Sequence, residues 1–317
     1  MMKLLVICGP TATGKTQLGV RLAKKFDGEM VSVDSRQVYR GMDIATGKDL
    51  PKNSTYQKLK NSKLGYYLFD SIPVWMLDVV EPTHSFSVAE YHERAHKVIE
   101  DIWKREKLPI LVGGTGLYVK AMIDGIDTLG VPPHPQLRAA YEKKSAEELF
   151  NILFHLSPDT ANTLNVSERK NKQRLIRKIE IAQMGVKEVS GKKWKNLKVV
   201  MIGLVCSYNI LRQRIERRIE KWVIKGAEDE VMKLLGSGVG WNFQAMNALG
   251  YRQWKPYFEG KSKKEEVVER WKVDEWHYAR RQLTWFKRDK RIQWFDVTKK
   301  RWEEDVEKKV QAWYNRR

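Results

Sequence analysis

The 317-residue sequence predicts an α/β protein in which helices flank a parallel sheet and a helical insertion interrupts it. Five apolar runs are typical of buried strands, and helical stretches separate them, which favours a parallel sheet covered on both faces. These runs are Leu4–Cys8, Met30–Val33, Trp75–Val79, Ile110–Val112 and Val199–Val205. Between Ile126 and Lys198 charged amphipathic segments replace the strand pattern. We therefore expect the sheet to resume after a helical segment.

The first strand runs directly into a complete G-x-x-x-x-G-K-[ST] motif, Gly9-Pro10-Thr11-Ala12-Thr13-Gly14-Lys15-Thr16, and a helix is predicted at Thr16–Phe26. Backbone N–H groups of such a loop surround a diphosphate, and the helix N-terminus adds the positive end of a dipole. Lys15 supplies a point charge, and the Thr16 hydroxyl can hold Mg²⁺. The motif predicts a P-loop NTPase-like fold with a bound diphosphate, whether or not that diphosphate belongs to a nucleotide.

The other elements fall into two groups. Further core helices are predicted at Val88–Glu106, 209–236 and 263–288, and residues 47–73 are predicted to be irregular. After the break at Pro132-Pro133-His134-Pro135, the insertion is predicted to form the helices Gln136–Phe154, Ser157–Leu164 and Glu168–Met184. We expect a catalytic core of residues 1–127 and 199–317, and an insertion domain of residues 128–198.

Composition narrows the class of partner. Lys and Arg number 59 against 39 Asp and Glu, and the net charge of +20 favours a polyanion such as nucleic acid. Cys8 and Cys206 are the two cysteines, and each lies in an apolar run, so we expect a cytoplasmic protein without disulfides or a structural zinc site. No stretch approaches the roughly 20 apolar residues of a membrane span, so no membrane partner is expected.

Polar residues follow the ends of three strands, where open parallel sheets bind ligands. Asp34 follows the second strand and could be a general base, a metal ligand or simply a turn residue. Arg36 and Gln37 could contact nucleobases or phosphate, or could be exposed turn residues. The glycine-rich turn Gly113–Gly116 permits close backbone approach and offers the Thr115 hydroxyl. Asp78, which directly follows the apolar residues Val74-Trp75-Met76-Leu77, is a candidate metal ligand.

Three basic segments complete the candidate site. Arg174, Arg177 and Lys178 share one face of a predicted helix. Arg212, Arg214, Arg217 and Arg218 begin the helix after the fifth strand, where some can bind diphosphate through their planar guanidinium groups, and the others face solvent. The segment Arg280–Arg288 mixes cations with Trp285 and Phe286, a composition that suits RNA, although at least one of the two aromatics is expected in the core.

Seven segments, in this order, resemble the tRNA dimethylallyltransferase (tRNA isopentenyltransferase) family, of the bacterial type. The most specific segment reads Asp-Ser-x-Gln-x-Tyr-Arg-Gly-Met-Asp from Asp34 to Asp43. The matching stretches are Gly9–Thr16, Asp34–Ile44, Ser85–Ala89, Pro109–Tyr118, Gln173–Glu180, Ala248–Gln253 and Arg280–Lys287. They span nearly the whole chain.

The resemblance implies transfer of a dimethylallyl group from dimethylallyl diphosphate to the exocyclic amine of the adenosine 3′ to the anticodon, by a monomer using Mg²⁺. The adenine is expected to leave the anticodon loop and enter the site. Asp34 resembles the family's base, Gly9–Thr16 its diphosphate cradle with Mg²⁺ at Thr16, and Thr115 a contact to the target nucleotide. The implied catalytic residues are Lys15, Thr16, Asp34, Thr115, and Arg214 or Arg218, between which the sequence does not decide. The implied tRNA contacts are Asp34, Ser35, Arg36, Gln37, Thr115, Arg138, Gln173, Arg174, Leu175, Ile176, Arg177, Asn247, Ala248, Leu249, Gly250, Tyr251, Arg252, Gln253, Arg280, Arg281, Gln282 and Lys287.

Three features depart from the family pattern. Ala45-Thr46-Gly47-Lys48 stands where the family has Gly-Thr-Ala-Lys, and Pro73-Val74-Trp75 stands where it has His-His-Leu. Residues 49–73 are longer than expected, and the chain reaches Arg317 without the zinc finger of eukaryotic relatives. The alternative functions are prenyl transfer to a free adenine nucleotide, a P-loop kinase or ATPase, and an RNA-binding protein with a vestigial loop. The presence of Lys15 and Asp34 argues against the last.

Overall fold

A computed structural model describes residues 2–52, 54–59, 64–126, 131, 134–184 and 194–316. The chain divides into two compact units. The first unit joins Met1–Ile123 to Trp194–Arg317, and the second is Asp124–Lys193. The boundary expected at 127 and 128 lies outside the described residues, and strand Lys198–Val205 already contains the boundary expected at 198 and 199.

Within the described residues, eight strands form one sheet in the order β3-β4-β5-β2-β6-β1-β7-β8. The strands are β1 Lys3–Cys8, β2 Gly28–Val33, β3 Gln57–Lys58, β4 Gly65–Phe69, β5 Ile72–Trp75, β6 Leu108–Gly113, β7 Lys198–Val205 and β8 Ile292–Asp296. In this spatial order, the neighbouring strands β5, β2, β6, β1, β7 and β8 pair in parallel. At the other edge, β3 pairs antiparallel with β4, and β4 pairs antiparallel with β5. The parallel sheet flanked by helices is confirmed, with an antiparallel extension at one edge.

The centre of the sheet is buried on both faces. Leu4–Cys8 of β1 are fully buried, and every residue of β2 is buried. Strands that are buried along their whole length occur where helices cover a parallel sheet on both sides. Because β1, β2 and β6 are parallel neighbours, the residues that follow them meet at one sheet edge.

The helices of the described residues follow the predicted pattern in most places. They are α1 Lys15–Lys25, α2 Val88–Lys104, α3 Gly116–Asp124, α4 Pro135–Glu142, α5 Ala146–Leu156, α6 Pro158–Asn162, α7 Val166–Arg169, α8 Lys172–Gln183, α9 Tyr208–Ile224, α10 Ala227–Gly236, α11 Lys255–Phe258, α12 Lys264–Phe286 and α13 Trp302–Tyr314. None of the described helices is long and apolar enough to cross a membrane.

The region of the third predicted strand differs from expectation. The strand is Ile72–Trp75, and the chain then turns at Met76 and Asp78, which have φ of +65° and +52°. Residues 47–73, predicted to be irregular, contribute β3, β4 and part of β5. Asp70 and Ser71 join β4 to β5 with φ of +47° and +69°, as a tight hairpin turn requires.

Three predicted helices are divided in the structure, and the one expected over Glu168–Met184 falls into α7 and α8. The helix expected over 209–236 breaks at Gly226, whose φ of +100° suits glycine and ends one helix before the next. The helix expected over Gln136–Phe154 is α4 and α5, because Ser145 and Glu148 form a capping box that starts α5. Strand β8 was not predicted, since Gln293 and Asp296 interrupt its apolar run.

The second unit has its own small core. Leu149 and Leu153 of α5 pack with Leu175, Ile176 and Ile179 of α8, at the helical spacing that builds an apolar face. Beside this core lies the buried carboxylate of Glu180, which accepts bonds from the guanidinium groups of Arg138 and Arg177 and from the His134 N–H. These cations lower the pKa of Glu180 to about 2, against the opposing effect of burial. Glu180 is therefore ionised at neutral pH and links α8 to Arg138 and to the start of α4.

Candidate active site

The phosphate loop is stabilised by hydrogen bonds from its own side chains. Gly9 has φ of +132° and Gly14 φ of +86°, and a Cβ atom on Gly9 would overlap the backbone of Leu204. The Lys15 Nζ donates to the Pro10 carbonyl at 2.6 Å, and the Thr13 hydroxyl donates to the same oxygen at 2.9 Å. The loop then enters α1 at Lys15. Such a turn directs backbone N–H groups and a helix N-terminus to one point.

The electrostatic setting of Lys15 favours an anionic ligand. Burial and the nearby Arg218 lower the pKa of the Lys15 ammonium to about 8, while Asp34 acts in the opposite direction. Two cations held close together beside a dipole terminus repel each other until an anion lies between them. The site is therefore suited to a multiply charged phosphate group.

Arg218 is the arginine that reaches the phosphate loop. Its Nη1 donates to the Thr11 hydroxyl at 3.0 Å, its Nη2 pairs with Asp49 at 3.0 Å, and its guanidinium lies 4.5 Å from the centre of the Trp222 ring. A side chain at Gly47 would overlap both Arg218 and Trp222, so glycine is required for this packing. The Gly47 departure from the family pattern therefore leaves room for the arginine. Arg214, one turn earlier on α9, lines the same cavity.

Asp34 lies immediately after β2, at the sheet edge shared with the phosphate loop. Its Oδ1 accepts the backbone N–H of Arg36 at 2.7 Å and that of Gln37 at 3.3 Å. These two bonds fix the carboxylate in orientation, and both use one oxygen. Asp34 lines the cavity together with Lys15 and Thr16. A fixed carboxylate in a cavity can accept a proton from a bound substrate.

Gln282 of α12 joins the phosphate loop to the glycine-rich turn. Its Oε1 accepts the Thr11 N–H at 2.9 Å, and its Nε2 donates to the Gly114 carbonyl at 3.0 Å. Gly114 has no room for a side chain because Gln282 occupies that space. Thr115 completes the turn, with its hydroxyl accepting the Ser35 N–H at 3.1 Å. Gln282 is buried and positions two loops while lining the cavity, and its expected contact with tRNA stays a prediction.

The loop from Met42 to Lys48 is stabilised by hydrogen bonds and ion pairs from side chains on its inner side. The Gln37 amide donates to the carbonyls of Thr46 and Gly47 at 3.2 and 3.1 Å, so Gln37 has a positioning role here. The buried Lys48 ammonium pairs with Asp43 and Asp78. Asp78 also accepts the Tyr67 hydroxyl at 2.5 Å. Both oxygens of Asp78 are thereby used outside the cavity, so its assignment as a metal ligand is wrong.

One cavity of about 650 Å³ unites these groups, a size within the range of small-molecule sites. Its walls come from the phosphate loop, the segment after β2, the turn after β6, and helices α9 and α12. Its polar lining includes Thr11, Lys15, Thr16, Asp34, Ser35, Arg214, Arg217, Arg218, Glu275, Tyr278 and Arg281. Glu275 and Tyr278 were missed in the sequence, although their spacing with Gln282 (seven and four residues) marks one face of a helix.

The expected tRNA contacts separate by burial. Those with exposed side chains are Gln173, Arg174, Asn247, Arg252, Arg280, Arg281 and Lys287. Other members of the set have buried side chains, and their predicted contact with tRNA stays a prediction; these are Leu175, Ile176, Ala248, Tyr251 and Gln253. Gly250 is also buried, against Trp271 and Ala45. Arg138 and Arg177 are bonded to Glu180, and Leu249 is half-buried on the cavity wall. Phe286 is buried and Trp285 exposed, so one of the two aromatics is in the core, as expected.

Few side chains of the described residues are placed to hold a metal ion at this site. The part of the chain that the structure describes has no group of three His, Cys, Asp or Glu side chains placed to hold a metal ion. The Thr16 hydroxyl on the cavity wall fits Mg²⁺ nevertheless, since this ion commonly takes one or two protein oxygens and completes its shell with water and substrate phosphates. Cys8 and Cys206 are buried free thiols, and burial raises the pKa of Cys8 to about 12.

Comparison with known proteins agrees with this arrangement. A family model described as IPP transferase matches residues 37–289. The chain is 39% identical over 295 residues to the tRNA dimethylallyltransferase of Roseiflexus sp. (strain RS-1), covering 91% of each. It is 37% identical over 316 residues to the tRNA dimethylallyltransferase of Carboxydothermus hydrogenoformans, covering 96% of each.

Solved structures give the same result. The full-length tRNA isopentenylpyrophosphate transferase of Bacillus halodurans matches with a TM-score of 0.72 at 32% identity, over 99% of this chain and 97% of that one. A eukaryotic dimethylallyltransferase acting on tRNA shares the fold with a TM-score of 0.76 at 23% identity. The chain therefore belongs to the IPP transferase family, the family of transferases that includes the tRNA dimethylallyltransferases.

Proposed function

We propose that the protein transfers a dimethylallyl group from dimethylallyl diphosphate to the exocyclic amine of the adenosine 3′ to the anticodon in tRNA. The observation that carries this proposal is that the phosphate loop and Asp34 line one cavity. The loop suits the diphosphate of the donor, and the carboxylate suits a proton acceptor for the amine. One cavity therefore offers a group that binds the diphosphate of the donor and a group that accepts the proton of the acceptor amine.

The diphosphate leaves with the electron pair of the bond between its oxygen and the first prenyl carbon. Lys15 and the backbone N–H groups of residues 12–16 bind its oxygens, and Arg218 neutralises the charge that develops as this bond breaks. Arg218 is favoured over Arg214 because it is bonded to Thr11 of the loop itself. Mg²⁺, held by Thr16 when bound, would supply further charge neutralisation on the diphosphate.

The adenine amine is a weak nucleophile until it loses a proton. As its nitrogen forms the new bond to the prenyl carbon, Asp34 accepts the displaced proton and later releases it to solvent. The two N–H bonds to Asp34 Oδ1 hold the carboxylate in one orientation for this step. Thr115, next to Asp34 through Ser35, is proposed to position the target nucleotide.

The prenyl chain needs an apolar surface beside the diphosphate. Ala45, Val112, Trp222 and Leu249 contribute such surface to the same cavity. Trp222 also stacks with Trp271 at a ring separation of 5.7 Å, which stiffens this wall. We propose that the dimethylallyl group lies against these side chains, because burial of its five carbons in an apolar wall is favourable.

The acceptor is proposed to be the anticodon stem-loop of tRNA. The net charge of +20 suits a polyanion, and the exposed cations Arg252, Arg280, Arg281 and Lys287 are candidates for phosphate contacts. On the second unit, Gln173 and Arg174 are exposed as well. A tRNA substrate and two buried free thiols favour a cytoplasmic location. We propose that the protein acts as a monomer.

The test uses purified protein, dimethylallyl diphosphate, Mg²⁺ and unmodified tRNA, and detects prenylated adenosine by mass spectrometry. Parallel reactions replace tRNA with free AMP or replace the donor with ATP. Prenylated tRNA alone supports the proposal. Product on AMP would indicate a free-nucleotide prenyltransferase, and ATP hydrolysis without prenyl transfer would indicate a P-loop ATPase; either result contradicts it.

A further inference from the structure

Glu275 is a buried carboxyl group in the active-site cavity to which the proposed reaction assigns no step. Its side chain extends from α12 into the cavity wall that also contains Arg218 and Asp34, and the residue is only 7% exposed. A charged carboxylate at such a depth is costly unless cations compensate it. Its protonation therefore depends on the charges that share the cavity.

Charges on three elements face Glu275. Arg218 of α9 and Arg281 of its own helix favour the carboxylate, as does the neighbouring Trp271. Burial and the carboxylate of Asp34 act in the opposite direction and prevail, so the pKa of Glu275 is raised to about 7. Tyr278, one turn further along α12, has its own pKa raised by burial, Asp34 and Glu275, and stays neutral.

The charge of Arg218 acts both on Glu275 and on the place where the diphosphate is expected to bind. The same guanidinium contacts Thr11 of the phosphate loop, where the diphosphate is expected to bind. A multiply charged anion in the cavity raises the free energy of the ionised form of Glu275, since like charges in a poorly solvated site repel strongly. Protonation of Glu275 removes this repulsion, and the positive charge of Arg218 then interacts with the diphosphate alone.

We propose that Glu275 is a positioning residue that couples entry of the diphosphate to proton uptake, so that its carboxylate does not offset the positive charge of Arg218 while the diphosphate is bound. The inference rests on the proposed function, because it requires a diphosphate in this cavity. Departure of the diphosphate then returns the proton to solvent and restores the negative charge of Glu275. No covalent bond changes in this cycle.

The test is titration calorimetry of inorganic diphosphate with Mg²⁺, in two buffers of different ionisation enthalpy, on wild type and Glu275→Gln. The difference between buffers measures the protons taken up. At pH 7 wild type is expected to take up about half a proton more than Glu275→Gln, rising towards about one at pH 8. The ionisation of Lys15 and of diphosphate itself contributes to both proteins and cancels in this difference.

Glu269→Gln is the matched control, because it removes an exposed carboxylate from the same helix and is expected to behave as wild type. Wild type alone supplies a second measurement that needs no variant: its diphosphate affinity should begin to fall above pH 7, before the Lys15 ammonium titrates near pH 8. Equal proton uptake by wild type and Glu275→Gln, with diphosphate still bound, overturns this inference alone. Absence of diphosphate binding to wild type overturns both it and the proposed function.

Discussion

Replacing Asp34 with asparagine should remove the base and leave its surroundings intact. The asparagine Oδ1 can still accept the N–H groups of Arg36 and Gln37, so the local turn is preserved. What is lost is the proton acceptor, since an amide does not take a proton at neutral pH. A general base contributes roughly 10²- to 10⁴-fold, which corresponds to about 2.7 to 5.4 kcal/mol of the activation barrier.

The assay is single-turnover prenyl transfer from labelled dimethylallyl diphosphate to saturating tRNA. Asp34→Asn should reduce the rate by this factor and leave the tRNA dissociation constant within about threefold of wild type. Asp34→Ala should lower the rate by the same factor. It should also lower the free energy of unfolding by about 1 kcal/mol for each of the two half-buried N–H groups that lose their acceptor. Asp70→Asn, an exposed aspartate of the β4–β5 turn, is the control and should be silent.

Two results would refute the reasoning. A wild-type rate for Asp34→Asn would show that another group accepts the proton. A loss of tRNA affinity as large as the loss of rate would instead make Asp34 a structural or binding residue.

Three further predictions concern the cavity and the RNA surface. Arg218→Ala should lower the turnover number about 10²- to 10³-fold, as loss of a transition-state charge contact does, whereas Arg214→Ala should lower it less; equal effects in steady-state kinetics would contradict the assignment of Arg218. Gln282→Leu should destabilise the protein by about 2–4 kcal/mol in denaturant titration, because a buried N–H and a buried carbonyl lose their partners, and an unchanged transition would show that Gln282 does not join the two loops. The affinity for tRNA should fall steeply with salt, and the double change Arg280→Ala with Arg281→Ala should reduce the log–log slope by about two in filter binding; a flat salt response would exclude this surface.

The central strands of the sheet could be predicted from the sequence, because the apolar runs and the turn motifs that follow them indicate the same structure. The apolar run Leu4–Cys8 and the glycine-rich loop after it each have one structural interpretation, and parallel pairing then brings Asp34 and the turn at Gly113 to the same edge. The edges of the sheet were not predictable in this way. Strand β8 carries Gln293 and Asp296, and β4 is an aromatic strand whose register depends on the turn at Asp70 and Ser71.

The candidate site shows the same division between local and tertiary information. Motif spacing identified Lys15, Thr16 and Asp34, because their chemistry depends on neighbours in the chain. Gln282 was expected to contact tRNA because of the family resemblance, and it lies buried between two loops 168 and 271 residues away. Glu275 carries no motif at all, and its importance arises from the packing of α12 against the cavity.

The central claim is that the bound diphosphate is a leaving group and that RNA is the acceptor. Incubation of the purified protein with dimethylallyl diphosphate, Mg²⁺ and an unmodified anticodon stem-loop, without ATP, tests it most directly. The expected result is one prenyl group on the adenosine 3′ to the anticodon and one equivalent of released diphosphate. Intact donor and unmodified RNA, under conditions in which the protein hydrolyses ATP, would contradict the claim.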